Sequence, residues 1–173
     1  MNETIQHLLS RRSIKRYTDQ AVPQEIIEEI VKAGTYAPTG MNRQSPLILA
    51  VTNRELRDKL SRMNASILGC QGDPFYGAPV VLVVLARKDV NTRVYDGSLV
   101  MGNLMTAAHS LSIASCWIHR AKEEFESEEG KQLLRDLGIE GEYEGIGHCI
   151  LGYADGEPKP QSPRKENYVI WVH

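Results

Sequence analysis

The sequence predicts a protein of the α+β class, in which helices cover both faces of a central sheet. Residues 78–86 are rich in β-branched side chains and apolar on both faces, which is typical of a central strand. Residues 23–33 carry one apolar stripe at helical spacing. Residues 96–114 are helical in composition but apolar all round, so this helix is expected at the centre of either the monomer or a dimer.

The other elements follow from periodicity and from start and stop signals. Pro23 opens the second helix and Pro38 ends it before a turn-rich stretch at 38–42. Short apolar runs predict strands, and apolar stripes at helical spacing predict helices. The remaining helices are expected at 4–11, 56–67 and 123–137, and the remaining strands at 47–51, 115–119 and 147–153.

Composition and charge restrict the class of protein. With 173 residues, 42% of them hydrophobic, the chain is long enough for one domain spanning residues 1–173. A net charge of −2 argues against a protein that binds nucleic acid over a basic surface. The start of the chain resembles no signal peptide, and no apolar run could cross a bilayer. We therefore expect a cytoplasmic protein without a nucleic-acid or membrane partner.

Cysteine and histidine spacing predicts neither disulfides nor a metal site. The three cysteines, Cys70, Cys116 and Cys149, are far apart and form no CxxC pair, so reduced thiols are expected. The five histidines are scattered without ligand spacing.

The chain changes character after residue 153. Residues 154–173 begin with a proline-rich arm of few apolar residues, followed by the strand-like run 168–172. An apolar strand behind an extended arm needs a sheet edge to join. That edge is possible on a second copy of the chain, which would give an intertwined homodimer.

Two basic clusters are candidate anion sites. Residues 11–16 hold four cations and a hydroxyl at the end of a helix, and Arg164 and Lys165 end the proline-rich arm. Cations at a helix C-terminus suit the helix dipole, so a solvated face explains the first cluster. An exposed linker explains the second. The alternative is a phosphate ester, which guanidinium groups bind in a bidentate manner.

Common catalytic motifs are missing. The chain has no GxGxxG after a strand, no glycine-lysine phosphate loop, no HExxH and no GxSxG. Dinucleotide-fold, phosphoryl-transfer, zinc-protease and nucleophile-elbow mechanisms are therefore unsupported.

Five short motifs, in order, resemble the FMN-dependent nitroreductase family. They are Arg-Arg-Ser-Ile-Lys from Arg11, Ala-Pro-Thr-Gly-Met-Asn-Arg-Gln from Ala37, Ala-Pro-Val-Val from Ala78, Ser-Cys-Trp-Ile from Ser115, and Arg164-Lys165. Each motif is weak alone, but together they cover nearly the whole chain. The resemblance implies an α+β homodimer with a mixed, mainly antiparallel sheet, a C-terminal strand exchanged between subunits, and FMN at the dimer interface. It favours the phosphate interpretation of both basic clusters.

The resemblance also implies cofactor-binding residues, and no side chain is assigned a catalytic role. Lys15 would sit near the flavin pyrimidine edge, where a cation stabilises the reduced, anionic flavin. For Asn64, a hydrogen bond to the flavin and a solvated helix position remain alternatives, as do an indole wall and core packing for Trp117. The residues expected at the phosphate and ribityl chain are Arg11, Arg12, Ser13, Arg164 and Lys165; those reaching the partner's FMN are Pro38, Thr39, Gly40 and Asn42; those beside the flavin are Trp117, Ile118 and His119.

The implied reaction is ping-pong. NADH or NADPH passes hydride to the flavin and leaves, and a small electron-poor acceptor such as a nitroaromatic or quinone takes its place. The chain departs from the family in a short stretch between Val90 and Asp96, in Gln44-Ser45-Pro46, and in His119, where small residues are common. These departures suggest an open pocket and leave an alternative, an FMN carrier or redox sensor without efficient NAD(P)H turnover.

Overall fold

A computed structural model describes all 173 residues. It contains six α-helices, four strands and one 3₁₀ turn, close to the elements predicted from sequence. The helices are α1 (Glu3–Ser10), α2 (Gln24–Thr35), α3 (Arg54–Leu68), α4 (Arg93–Ser110), α5 (Ala121–Glu126) and α6 (Glu128–Asp136), the strands are β1 (Pro46–Val51), β2 (Val80–Arg87), β3 (Ala114–Ile118) and β4 (Tyr143–Gly152), and the 3₁₀ turn is Gly40–Asn42.

The four strands form one sheet in the order β1-β2-β4-β3, and every neighbouring pair is antiparallel. The parallel component is a single bridge between Ser13 and Ser115, which lies outside the paired strands. The prediction of a mainly antiparallel sheet with residues 78–86 at its centre is thus confirmed.

The sheet has a hydrophobic core on each face. Alternate residues of β2 point to opposite faces, as the pleat requires, and all residues from Val80 to Ala86 are buried. One core packs Val80, Leu82 and Val84 against α2 and α4. The other packs Val81 and Val83 against α3, α5 and α6. The prediction that helices cover both faces is confirmed.

Three predictions about element boundaries are wrong. The helix expected at 96–114 is α4, Arg93–Ser110, and Ala114 is instead the first residue of β3. The single helix expected at 123–137 is two helices that break at Ser127, whose hydroxyl accepts a hydrogen bond from the Gly130 N–H (3.0 Å) and so caps α6. Strand β4 begins at Tyr143 rather than at 147, because the charged residue Glu144 is buried in the strand and pairs with Arg93 (2.7 Å).

The loop between α3 and β2 is fixed by a buried arginine. Arg57 donates hydrogen bonds from Nε to the Ala78 carbonyl (2.9 Å) and from Nη2 to Asp73 (2.5 Å). Burial raises the pKa of Asp73, but hydrogen bonds from Arg57, from the Ser61 hydroxyl and from two loop N–H groups outweigh it and hold the pKa below its usual range.

Much apolar surface on α1 and α4 is exposed. Leu8 and Leu9 of α1 are 54% and 51% exposed, and Tyr95 and Leu99 of α4 are 72% and 47% exposed. A side chain at Gly102 would contact nothing. Helix α4 therefore buries one face on the sheet and leaves an apolar face uncovered.

The C-terminal arm does not join the sheet of its own chain. Residues 168–172 form no strand and are 60–91% exposed, although all five are apolar or aromatic. None of the helices combines the length and the hydropathy that a membrane span requires.

Candidate functional site

The two basic clusters predicted from sequence meet in one open groove. The groove has a volume of about 950 Å³ and lies between the segment that leaves α1 and the C-terminal arm. Arg11, Ser13 and Lys15 line one side, and Arg164 lines the other. The chain thus brings together cations that are about 150 positions apart in sequence.

Backbone contacts fix the first basic segment beside β3. The Ile14 N–H donates to the Ser115 carbonyl (3.0 Å), next to the parallel bridge between Ser13 and Ser115. The Ser13 side chain lies near enough to the Cys116 thiol to lower its pKa, against the effect of burial. The segment is therefore held along the edge strand β3, and its side chains line the groove.

The start of the arm is tied to the same segment. The Asp155 N–H donates to the Arg16 carbonyl (3.0 Å), and the Arg16 guanidinium pairs with the Asp155 carboxylate (2.8 Å). A further bridge joins Tyr17 to Ala154. These bonds join the segment after α1, which forms one wall of the groove, to the start of the C-terminal arm, which forms the other wall.

Besides Arg16, which pairs with Asp155, the two clusters hold three arginines that differ in what they contact. Arg11 is partly buried and its Nη1 has no hydrogen-bond partner. Arg12 Nη1 lies within 2.8–2.9 Å of the carbonyls of Leu9, Ser10 and Arg11, so it caps the end of α1, as the helix-dipole explanation expects. Arg164 Nη2 donates to the carbonyl of Ser162 (2.8 Å).

The two lysines lie against tyrosine rings. Lys15 Nζ is 5.4 Å from the centre of the Tyr76 ring, and Lys165 Nζ is 5.3 Å from that of Tyr168. Lys165 does not line the groove, unlike its neighbour Arg164.

The positive charge of the groove affects its titratable neighbours. Burial lowers the pKa of His109, and the nearby His7, Arg11 and Arg12 lower it further. Burial raises the pKa of the Cys116 thiol, although Ser13, Lys15 and Arg11 act in the opposite direction. The groove therefore favours anions over cations.

The turn at 38–42 lies outside the groove of its own chain, with Pro38, Met41 and Asn42 exposed and Thr39 and Gly40 half-buried. Met41 and Asn42 have positive φ angles (54° and 52°), an unfavourable conformation for residues with a side chain. The buried carboxylate of Asp96 holds the turn by accepting hydrogen bonds from the Gly40 N–H (2.9 Å) and the Thr92 hydroxyl (2.8 Å).

Asn64 is fully buried, so the alternative of a solvated helix residue is wrong. Its amide donates to the His119 carbonyl (2.9 Å) and to Glu124 Oε2 (3.0 Å), and its oxygen accepts from Arg120 Nε (2.9 Å). Asn64 therefore contacts the end of β3 through hydrogen bonds within the chain.

The residues expected beside the flavin occupy that end of β3. Ile118 is buried and His119 is exposed. The Trp117 indole packs over Gly147, where an added Cβ would lie 2.4 Å from Trp117 Nε1. The structure thus shows the core-packing contact of Trp117.

Sequence reasoning missed four residues of this region. Asp96 had a visible signal, since it is an acid at the start of a largely apolar helix. Arg120, Glu124 and His148 had none, because the contacts that join them to Asn64 depend on the fold.

The fold and the groove define an α+β protein with a cationic groove beside a sheet edge, suited to a ligand that carries a phosphate. The model of the nitroreductase family matches residues 8–153 of the chain. An Archaeoglobus fulgidus protein, provisionally named NADH dehydrogenase/NAD(P)H nitroreductase, is 30% identical over 161 residues, 91% of this chain and 88% of that protein. A Methanothermobacter thermautotrophicus protein of the same name is 28% identical over 119 residues, 66% of this chain and 60% of that protein.

A solved structure agrees with the sequence comparisons. The nitroreductase with bound FMN from Bacteroides fragilis has a TM-score of 0.91 at 25% identity and covers 100% of both chains. The chain belongs to the nitroreductase family. The family and the α+β sheet architecture predicted from the five motifs are confirmed, and exchange of the C-terminal strand between subunits stays a prediction.

Proposed function

We propose that this chain is an FMN-dependent oxidoreductase that takes hydride from NADH or NADPH and reduces a small electron-poor acceptor, such as a nitroaromatic or a quinone, by a ping-pong mechanism. The observation that carries the proposal is the convergence of Arg11, Ser13 and Arg164 on one groove. Family membership supports it, as does the FMN bound by the related Bacteroides fragilis protein.

The residues of the groove fit the phosphate of FMN. A buried guanidinium nitrogen without a partner is unfavourable, and Arg11 Nη1 is such an atom. A phosphate oxygen would supply its missing acceptor, and the Arg164 guanidinium and the Ser13 hydroxyl would supply further donors. Arg12 and Lys165 would contribute mainly positive charge, because Arg12 caps α1 and Lys165 lies against Tyr168.

The flavin ring would extend from the groove past Lys15 along the end of β3. Lys15 is near Cys116, which places its ammonium beside this strand. Trp117, Ile118 and His119 would then flank the ring. Asn64 is 0% exposed, so it would act there through the bonds that it makes to His119 and Arg120.

Bound FMN would supply the hydride acceptor and the electron donor to the second substrate. The chain itself would bind and orient the ring, and Lys15 would stabilise negative charge on the reduced flavin. No side chain is needed as a nucleophile, so we assign no catalytic residue.

The proposal includes a homodimer. The uncovered apolar faces of α1 and α4 and the exposed run 168–172 are typical of surfaces that a second copy covers. The turn at Pro38, Thr39, Gly40 and Asn42 does not line its own groove, which is consistent with contact to the FMN of the partner subunit.

An anaerobic absorbance experiment tests the function. The purified protein is mixed with FMN, freed of unbound flavin and treated with NADH or NADPH. Retained flavin bands that bleach rapidly are the expected result. A protein that retains no flavin would contradict the cofactor assignment and with it the proposed activity.

A second function is an FMN carrier or redox sensor without efficient NAD(P)H turnover. It is favoured by the short link between β2 and α4, residues 88–92, which has no helix of its own to cover a substrate pocket. Flavin that binds but stays oxidised after addition of both nicotinamide nucleotides would support this alternative.

A further inference from the structure

A polar cluster lies buried beneath the end of β3. Asn64 of α3, Glu124 of α5 and His148 of β4 are each 0% exposed. His148 Nε2 lies 2.7 Å from Glu124 Oε2, the same oxygen that accepts from the Asn64 amide, but the angle of this close contact leaves Nε2 without a hydrogen bond. Two helices that cover this face of the sheet, α3 and α5, and one strand of the sheet, β4, thus meet at one carboxylate oxygen.

The cluster contacts three consecutive residues. His148 Nδ1 lies 3.4 Å from the Ile118 carbonyl, and the Asn64 amide donates to the His119 carbonyl. Arg120, the next residue, donates from Nε to Asn64 Oδ1. It also has a φ of 76°, which is uncommon for a residue with a side chain.

The corner formed by these three residues leaves backbone donors free. Neither the His119 nor the Arg120 N–H donates a hydrogen bond within the chain. The cluster therefore fixes the carbonyl side and one side chain of the corner, while its two N–H groups make no hydrogen bond within the chain.

Stability alone does not explain the cluster. Glu124 Oε1 is buried without a hydrogen-bond partner, and the surrounding residues are a hydrophobic core. A buried carboxylate with one bare oxygen is less favourable than a well-packed apolar side chain. A polar cluster that costs stability is consistent with a need for one fixed geometry at the corner.

We propose that the Glu124–His148 pair, acting through Asn64, is a positioning device for the corner Ile118–Arg120. It holds the free N–H groups of the corner where the flavin ring passes. This inference rests on the proposed function, which places the ring along the end of β3. Glu124 and His148 are positioning residues, since neither is exposed and neither can touch the cofactor.

The test combines a breaking variant, a conservative variant and a matched control. His148→Phe keeps the aromatic packing on Phe75 but removes both ring nitrogens. Glu124→Gln keeps the shape and can still accept from Asn64. The control is Glu144→Gln, which alters a buried carboxylate of β4 that pairs with Arg93 and is not part of the cluster.

The first readout is the flavin of the loaded enzyme. His148→Phe is expected to slow flavin reduction by NADH about tenfold, because misplaced binding groups weaken the reactive geometry. The variant should also bind reduced flavin about tenfold less tightly relative to oxidised flavin than the wild type does. This change lowers the midpoint potential of the bound flavin by about 30 mV, because the couple transfers two electrons. Glu124→Gln should keep a reduction rate and a midpoint potential close to those of the wild type. Glu144→Gln should change neither the rate nor the potential.

The second readout needs no flavin. Amide hydrogen exchange of the cofactor-free protein should be faster at the Glu124 N–H, which donates to the Arg120 carbonyl of the corner (3.0 Å), in His148→Phe than in the wild type or in Glu144→Gln. His148→Gln takes its place if the phenylalanine variant does not fold. Unchanged exchange of the Glu124 N–H would overturn the inference, whatever the protein binds.

The two readouts separate the inference from the proposed function. Faster exchange with an unchanged potential and rate would overturn the flavin role of the corner. A wild-type protein that binds no FMN would overturn both that role and the proposed function, while the exchange result would still decide whether the pair holds the corner.

Discussion

Replacement of Arg11 by alanine should have opposite effects on the protein without and with FMN. In the cofactor-free protein, Arg11 Nη1 is a buried donor without a partner, which costs about 1–3 kcal/mol. Arg11→Ala should therefore leave the free energy of unfolding unchanged or raise it. With FMN bound, the variant lacks a charge-assisted hydrogen bond worth about 1.5–3 kcal/mol, so the Kd should rise about 10- to 100-fold.

Thermal unfolding with and without FMN measures both effects. FMN at 100 times the wild-type Kd should raise the free energy of unfolding of the wild type by about 2.7 kcal/mol. At the same FMN concentration, the weaker binding of Arg11→Ala should reduce this stabilisation by about 1.3–2.3 kcal/mol. The control is Arg12→Ala. Because Arg12 caps α1, its replacement should lower the stability of the cofactor-free protein and change the Kd less than Arg11→Ala. Arg11→Ala with wild-type affinity for FMN would refute the phosphate assignment.

Four further predictions concern the turn, the α3–β2 loop, the core and the dimer. Asp96→Ala should destabilise the protein by about 2–4 kcal/mol and weaken FMN binding in the proposed dimer, as measured by urea unfolding and flavin titration, because it leaves the Gly40 N–H of the turn and the Thr92 hydroxyl unpaired. The pKa of Asp73 in the folded state lies below its ordinary value of 3.8. The ionised carboxylate therefore stabilises the fold fully above pH 3.8, and this stabilisation is lost as the pH falls through the lower folded-state pKa. In Asp73→Asn, the free energy of unfolding should depend less on pH in this acidic range. Gly147→Ala should displace the Trp117 indole, lower stability by about 1–3 kcal/mol and shift the tryptophan emission, and unchanged emission would contradict the packing. Leu99→Glu should shift the protein from dimer to monomer in light scattering and reduce FMN binding with it, whereas a dimeric Leu99→Glu protein would place the interface elsewhere.

The elements that sequence predicted well carry their signal in local periodicity. Residues of β2 are buried on both faces, so a continuous apolar run describes the strand regardless of what packs on it. The amphipathic stripe of α2 is equally local, and its residues Ile27 and Ile30 are buried as expected.

The errors arise where a long-range contact overrides a local pattern. Glu144 interrupts the apolar pattern at the start of β4, and its burial is possible because Arg93, 51 positions away, pairs with it. The break between α5 and α6 depends on Ser127 and on the approach of Gly130 to the Glu124 carbonyl, where an added Cβ would lie 2.0 Å from the oxygen. The spacing of apolar residues in the sequence predicts neither the Glu144–Arg93 pair nor the approach of Gly130 to Glu124.

The candidate site divides in the same way. Short motifs identified both basic clusters, but charge alone did not distinguish Arg11, which is left without a partner, from Arg12, which caps its own helix. The role of Asn64 was similarly open. Its burial and its bonds to His119 and Arg120 depend on residues more than 50 positions away, so they required the fold.

The turn at 38–42 links the site to the assembly. Met41, which is 85% exposed, adopts a left-handed conformation that costs about 1–3 kcal/mol for such a residue. A buried carboxylate, Asp96, is committed to holding this turn although the turn covers no core of its own chain. Such strain is explained if the turn is shaped for a surface outside the chain. Because the uncovered apolar face of α4 begins beside Asp96, a second copy bound to that face would bring each turn into contact with its partner and would make cofactor binding depend on dimer formation.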